Sequence, residues 1–73
     1  MTVTTAESCT GGLLCGRLVN VPGASSVLNE AHITYSNEAK ERILHVSHEI
    51  LKQYGAVSEE TARAMAEGAC RLS

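Results

Sequence analysis

The sequence predicts an α/β fold, on three observations. It opens on a β-branched run, it turns through paired glycines directly into leucines at helical spacing, and it carries a second apolar stretch followed by three segments that each begin at a serine. Met1 to Ala6, with Thr2, Val3, Thr4 and Thr5, fits a short strand ending at Glu7 and Ser8. Cys9-Thr10-Gly11-Gly12 is a turn, after which Leu13, Leu14, Arg17 and Leu18 recur as on one helical face. Asn20 to Gly23 stops that helix, because Pro22 disfavours continuation and Gly23 is free to take positive φ.

A second strand is expected through Val27, Leu28, Ala31, Ile33 and Tyr35. Ser36-Asn37 then offers a capping oxygen to a helix from Glu38 to His45, with Ala39, Ile43 and Leu44 inward. Ser47 caps a short helix carrying Ile50, Leu51 and Tyr54, and Gly55 suits the left-handed position at its end. Ser58, followed by Glu59 and Glu60, starts a last helix whose Ala62, Met65, Ala66, Ala69 and Cys70 form a stripe of small residues. Such a stripe admits close approach of another element, yet no third strand follows it before Ser73, so the reading expects missing neighbours.

Composition narrows the functional classes. A chain of 73 residues is about half the usual ~100 to 150 of a domain, which bounds it at one domain without a linker. Phe and Trp are absent and Tyr occurs only twice, so the core is thin. A core of this size seldom supplies more than ~3 to 5 kcal/mol unless a disulfide, a metal or a partner chain adds to it. The isolated chain is therefore expected to be an oligomer or only partly ordered. Six basic against eight acidic side chains, a net charge of −2, exclude a sequence-independent nucleic-acid binder.

The three cysteines, Cys9, Cys15 and Cys70, are an odd number without a C-x-x-C pair, which argues against a disulfide scaffold and leaves them as small buried hydrophobes. His45 and His48 straddle a helix break and are assigned no metal. No apolar run approaches a membrane span and no signal peptide opens the chain, so a reducing cytoplasm is the expected compartment.

The turn from Glu7 to Gly12 is the most informative stretch. A strand-to-helix turn displays a side chain while unpaired helix N–H groups point at what binds there, and both an oxyanion and a phosphate are expected to be favoured. Gly11 and Gly12 remove the Cβ atoms that keep a ligand from the backbone, although the Walker and dinucleotide spacings are not matched. From the turn alone, a helix start that merely needs flexible glycines remains an equal reading.

Ser8 needs a base before its hydroxyl can attack. Lys40 is the candidate, near the first turn of the helix opening at Ser36-Asn37, where the dipole disfavours an ammonium while Glu38 and Glu41 favour it. A lysine at its ordinary ~10.4 is no base at neutral pH, whereas one lowered to roughly 7 to 8 is. The Tyr35 hydroxyl is expected within reach of both, relaying a proton or orienting the amine. Taken alone, Lys40 reads more readily as a solvated charge, paired to Glu41 or to nothing. Cys9 with His32 as its base is a rival nucleophile, ranked second.

Four segments taken together carry more information than any of these features. Thr5-Ala6-Glu7-Ser8-Cys9-Thr10-Gly11-Gly12, Val21-Pro22-Gly23-Ala24-Ser25, Thr34-Tyr35-Ser36-Asn37-Glu38-Ala39-Lys40 and Gly55-Ala56-Val57-Ser58-Glu59-Glu60-Thr61-Ala62 resemble, in order and from end to end, the CinA C-terminal domain family, which contains the nicotinamide mononucleotide deamidases.

The resemblance implies a three-layer α/β/α sandwich and hydrolysis of the nicotinamide mononucleotide carboxamide to nicotinic acid mononucleotide and ammonia. Ser8 matches the family's nucleophile, Tyr35 its site tyrosine and Lys40 its general base, in a serine-lysine amidase with no metal and no cofactor. Backbone N–H groups around Cys9, Thr10, Gly11 and Gly12 are expected to steady the oxyanion and bind substrate, with Thr10 as a further contact. The implied partners are a small pyridine mononucleotide and further copies of the chain, with neither nucleic acid nor membrane.

Family domains usually open with a helix before the first strand and continue after the last helix here into another strand and a T-G-I-A-G-P-type segment that helps build the site. Residues 1–73 thus match roughly the first half of one such domain, without the larger N-terminal domain of the full-length competence-related proteins. A second class of reading follows, a catalytically incompetent truncated module that binds mononucleotide or oligomerises.

Overall fold

Two strands, four helices and one 3-10 turn alternate along the chain in a computed structural model that describes residues 2–73. They are β1 (Val3–Glu7), α1 (Leu13–Leu18), the 3-10 turn Ala24–Ser26, β2 (Leu28–Ile33), α2 (Asn37–Leu44), α3 (His48–Tyr54) and α4 (Glu59–Leu72). The expected first strand included Met1, which lies outside the described residues.

β1 and β2 pair in parallel, with Thr4 opposite Glu30, Ala6 opposite His32 and Glu7 opposite Ile33. Parallel neighbours need a crossover, which α1 and the 3-10 turn supply. Side chains alternate across a strand, so Ala6 and Glu7 look to opposite faces of the sheet. Ala6 packs on the core built from Leu44, Val46, Leu51, Met65 and Ala69. Glu7 reaches the first turn of α1. The sheet is therefore sandwiched, α1 on one side and the helical layer on the other, as in an α/β/α arrangement.

The serine caps are local and fall where expected. Ser36 Oγ accepts from the Ala39 N–H at 3.0 Å, Ser47 Oγ from Glu49 at 3.1 Å, and Ser58 Oγ from Thr61 at 3.1 Å. Each satisfies an N–H that a helix leaves unpaired at its start. Gly55 has the expected positive φ of 80° but an extended ψ of 169°, so it leads the chain away rather than closing a left-handed cap.

Helix faces differ from expectation where tertiary packing decides. α1 contains no buried residue: Leu13 is 66% exposed and Leu14 53%, while Leu18 is half-buried, so the shared helical face is largely uncovered. On α4, Met65 and Ala69 of the expected stripe are buried, whereas Ala62, Ala66 and Cys70 are exposed; the buried face is rotated to take in Thr61 and Gly68. Gly68 explains the rotation, because a Cβ built there would stand 2.1 Å from the carbonyl oxygen of Leu44. α4 and α2 meet backbone to backbone at this point, which only glycine permits. Cys9 and Cys70 are exposed and Cys15 is half-buried, correcting the reading of all three as core residues.

The displaced residues of α4 line a groove with Leu14 and Leu18 of α1, along the unpaired edge of β1. The radius of gyration, 12.5 Å, exceeds the ~11 Å of a chain this long at globular density, in keeping with that open flank. Among the described residues no helix is long and apolar enough to cross a membrane.

Candidate functional site

Ser8 follows the last residue of β1, and Tyr35 lies two residues beyond β2. Both therefore sit at the carboxyl ends of parallel strands, where open α/β sheets bind their ligands. The two ends are tied by the Thr34 N–H donating to the Glu7 carbonyl at 2.8 Å. An apolar hollow lined by Val3, Leu18, Pro22 and Leu28 lies at the opposite end of the strands and offers little polar chemistry.

Lys40, on the first turn of α2, is 1% exposed. Its Nζ donates to Ser8 Oγ at 3.0 Å and to the main-chain carbonyl of Tyr35 at 3.0 Å. Ser8 Oγ in turn donates to the same carbonyl at 3.3 Å. Three polar atoms from β1, β2 and α2 thus close a triangle. The carboxylates expected to compete are engaged elsewhere: Glu38 holds Arg42 at 2.7 Å and Glu41 faces His48 at 3.3 Å. Among the described residues no carboxylate lies within ion-pair distance of Lys40. The reading of Lys40 as a solvated surface charge is overturned by its burial.

The Tyr35 contact is a correction of a different kind. The phenol expected between Ser8 and Lys40 is not there: the side chain is 67% exposed, and the residue meets both partners through its carbonyl. Ser36, the N-cap of α2, is extended at φ −85°, ψ 160°, and the carbonyl that precedes it accepts from the amine. Any residue type at position 35 presents that oxygen, so the sequence carried no signal of it.

The Gly11 N–H donates to the Ser8 carbonyl at 3.0 Å, and Gly11 and Gly12 take φ of 65° and 109°. These angles strain any residue with a side chain. At Gly12 a Cβ would also meet Ile33 Cδ1 at 2.9 Å, so the turn is folded down onto β2. The N–H groups of Cys9, Thr10 and Gly12 have no acceptor among the described residues.

The sequence alone assigns no role to Glu7. Its side chain is 5% exposed, and Oε1 accepts from the Leu14 N–H at 2.8 Å and from the Thr10 hydroxyl at 3.3 Å, while Oε2 accepts from the Cys15 N–H at 3.0 Å. The start of α1, expected to attract a phosphate or an oxyanion, is filled by the protein's own carboxylate. The one available signal was an acid at the end of a strand, in a position whose alternation faces a helix. The rival cysteine pair does not form, because His32 Nε2 sits 3.1 Å from Glu30 Oε2 on its own strand and Cys9 is exposed.

Comparison with known proteins identifies the family. The family model of the CinA C-terminal domain matches residues 1–73. A protein of Clostridium novyi (strain NT), named as competence-damage inducible, is 59% identical over 73 residues, all of this chain and 18% of that protein. The solved structure of a competence-damaged protein (CinA) superfamily protein from Escherichia coli superposes with a TM-score of 0.96 at 40% identity, covering 100% of this chain and 42% of that one. A competence/damage inducible protein from Agrobacterium tumefaciens gives a TM-score of 0.96 at 48% identity, over 100% of this chain and 44% of that one. The chain thus spans under a fifth of the length of the curated relative and under half of each solved neighbour. It belongs to the CinA C-terminal domain family.

Proposed function

We propose that the chain carries the serine-lysine part of an amidohydrolase site of the nicotinamide mononucleotide deamidase type. The observation behind this reading is the buried Lys40 amine 3.0 Å from Ser8 Oγ with no carboxylate paired to it. In the proposed reaction, Ser8 Oγ bonds to the carboxamide carbon as its proton passes to the Lys40 amine. The oxyanion is steadied by N–H groups of the turn, of which Cys9, Thr10 and Gly12 are unpaired. Collapse breaks the C–N bond, and Lys40 returns the proton to the departing ammonia. Water then adds to the acyl-serine, giving a proton back through Lys40 to Ser8 as nicotinic acid mononucleotide leaves. The Tyr35 carbonyl keeps hydroxyl and amine in line throughout.

The test is ammonia release from nicotinamide mononucleotide by the 73-residue chain, abolished by Ser8→Ala. A second reading rests on the coverage of the relatives and on apolar side chains left bare, Leu13 and Val21 at 66% and 58% exposed. It makes the chain a module that binds mononucleotide or associates without turnover, and binding with no ammonia released selects it.

A further inference from the structure

We propose that Glu7 is the positioning residue of the Ser8 turn: its carboxylate replaces a bound anion at the start of α1 and so holds the nucleophile's loop in its working shape before any substrate arrives. The proposal rests on the reading of Ser8 as nucleophile.

The loop has few restraints of its own. Residues 8 to 12 contain two glycines at positive φ and one internal backbone hydrogen bond, from the Gly11 N–H to the Ser8 carbonyl. Glycines cost conformational entropy when ordered, and α1, only six residues long, has no side-chain cap at Gly12. Left to itself, such a loop samples many shapes.

Glu7 supplies the missing restraint from below. It is anchored in β1, where its main-chain carbonyl accepts from Thr34, so its side chain starts from a fixed point. From there the two carboxylate oxygens take the Leu14 and Cys15 N–H groups at 2.8 and 3.0 Å and the Thr10 hydroxyl at 3.3 Å. The carboxylate therefore bridges both ends of the segment that displays Ser8. Charge-assisted bonds of this kind are roughly twice as strong as neutral ones. An anionic side chain at the positive end of a helix is also favoured by the dipole.

A chemical consequence follows for the substrate. Two of the helix-start donors are consumed by Glu7, and a buried negative charge stands beneath the turn. The loop is thereby left to neutral acyl groups whose negative charge develops only during attack, with the N–H groups of Cys9, Thr10 and Gly12, unpaired among the described residues, left to meet it. A substrate phosphate is not held at the start of α1.

The experiment uses the full 73-residue chain and a saturable fluorophosphonate probe. Ser8 Oγ attacks phosphorus, a P–O bond forms, the P–F bond breaks, and the serine proton passes to Lys40 as fluoride leaves. Glu7→Gln keeps the length but replaces one acceptor oxygen with a donor, and Glu7→Ala removes the bridge. The maximal labelling rate is expected to fall roughly tenfold in the first and roughly 10²-fold in the second, the size of effect that a misplacement of about 1 Å produces, with the probe's half-saturation unchanged. Amide exchange at Leu14 and Cys15 should speed up while that of Leu51, in the core, does not. Leu51→Ala is the control, less stable but labelled at the ordinary rate per folded molecule.

An unchanged maximal rate in a folded Glu7→Gln overturns the proposal. So does a loss of rate that runs parallel to lost Leu51 protection, or a Glu7→Gln that fails to fold, since either assigns Glu7 to general stability. If the unaltered chain is not labelled at Ser8, the nucleophile assignment falls and this proposal falls with it. Labelling at the ordinary maximal rate in Glu7→Gln, with its loss in Lys40→Met, removes the Glu7 role alone.

Discussion

Lys40 and Ser8, 32 positions apart in the chain, meet at 3.0 Å between Nζ and Oγ, and the amine side of that contact is closed to solvent. Lys40→Met tests what the contact does. Methionine fills the path of the lysine stem and adds no charge, so the fold is expected to survive by circular dichroism. Ammonia release or Ser8 labelling is expected to drop by roughly 10² to 10⁴, the usual contribution of a general base. Unchanged turnover in a folded variant removes Lys40 from the mechanism.

How much of this was legible in advance follows from the range of each interaction. The caps at Ser36, Ser47 and Ser58 bond to N–H groups two or three residues away, and both strands and all four helices were readable from such local signals. Lys40 could be singled out as a candidate by its place on a helix, but its burial depends on β1, β2 and α2 converging, which no short window contains. The Tyr35 carbonyl was invisible because it belongs to the backbone. Glu7 is not legible because a buried carboxylate is recognised only once the α1 N–H groups that satisfy it have positions. Gly68 is illegible for the same kind of reason: its need for no side chain arises from the Leu44 carbonyl, 24 positions earlier.

Gly68 and Gly16 are expected to respond oppositely to alanine. Helix glycines cost about 0.5 to 1 kcal/mol relative to alanine, so Gly16→Ala, where a Cβ meets nothing within 4 Å, should raise stability by that amount. At Gly68 the same gain is outweighed, because the Cβ would lie 2.1 Å from a backbone oxygen that cannot rotate away. Overpacking costs about 1 to 3 kcal/mol, which leaves Gly68→Ala destabilised by up to about 2.5 kcal/mol in urea unfolding. Equal effects at the two sites would contradict the backbone contact between α2 and α4.

The start of α4 contains a short relay whose members should prove coupled. Ser58 Oγ lies 3.0 Å from Thr61 Oγ1, which is fully buried and donates to the Gly55 carbonyl at 2.6 Å. Ser58→Ala removes the cap, at about 1 to 2 kcal/mol. Thr61→Val removes the Thr61 hydroxyl from between Ser58 and Gly55 and leaves the Gly55 carbonyl only the Ser58 hydroxyl, which donates to it at 3.1 Å, at about 0.5 to 1.5 kcal/mol. Because the two changes empty the same relay, the double variant should lose less than the sum of the singles, measured by denaturant unfolding on all four proteins. Strict additivity would show that the relay is not a unit.

The uncovered flank gives the last expectation. β1 is an edge strand, α1 has no buried residue, and Leu14 lines the groove between α1 and α4 at 53% exposure. Unpaired strand edges beside bare apolar side chains associate, and each apolar group covered contributes roughly 25 cal/mol per Å². Sedimentation of the 73-residue chain is therefore expected to show mass rising with concentration, and the unfolding midpoint should rise with it, since association stabilises only the folded form. Leu14→Glu puts a charge into the groove and should shift the chain toward monomer at a given concentration, while Val57→Glu, on a side chain 94% exposed and outside the groove, should not. A monomer that unfolds cooperatively at every concentration would mean that the core around Leu44 and Met65 suffices alone, and that the bare face of α1 needs no partner.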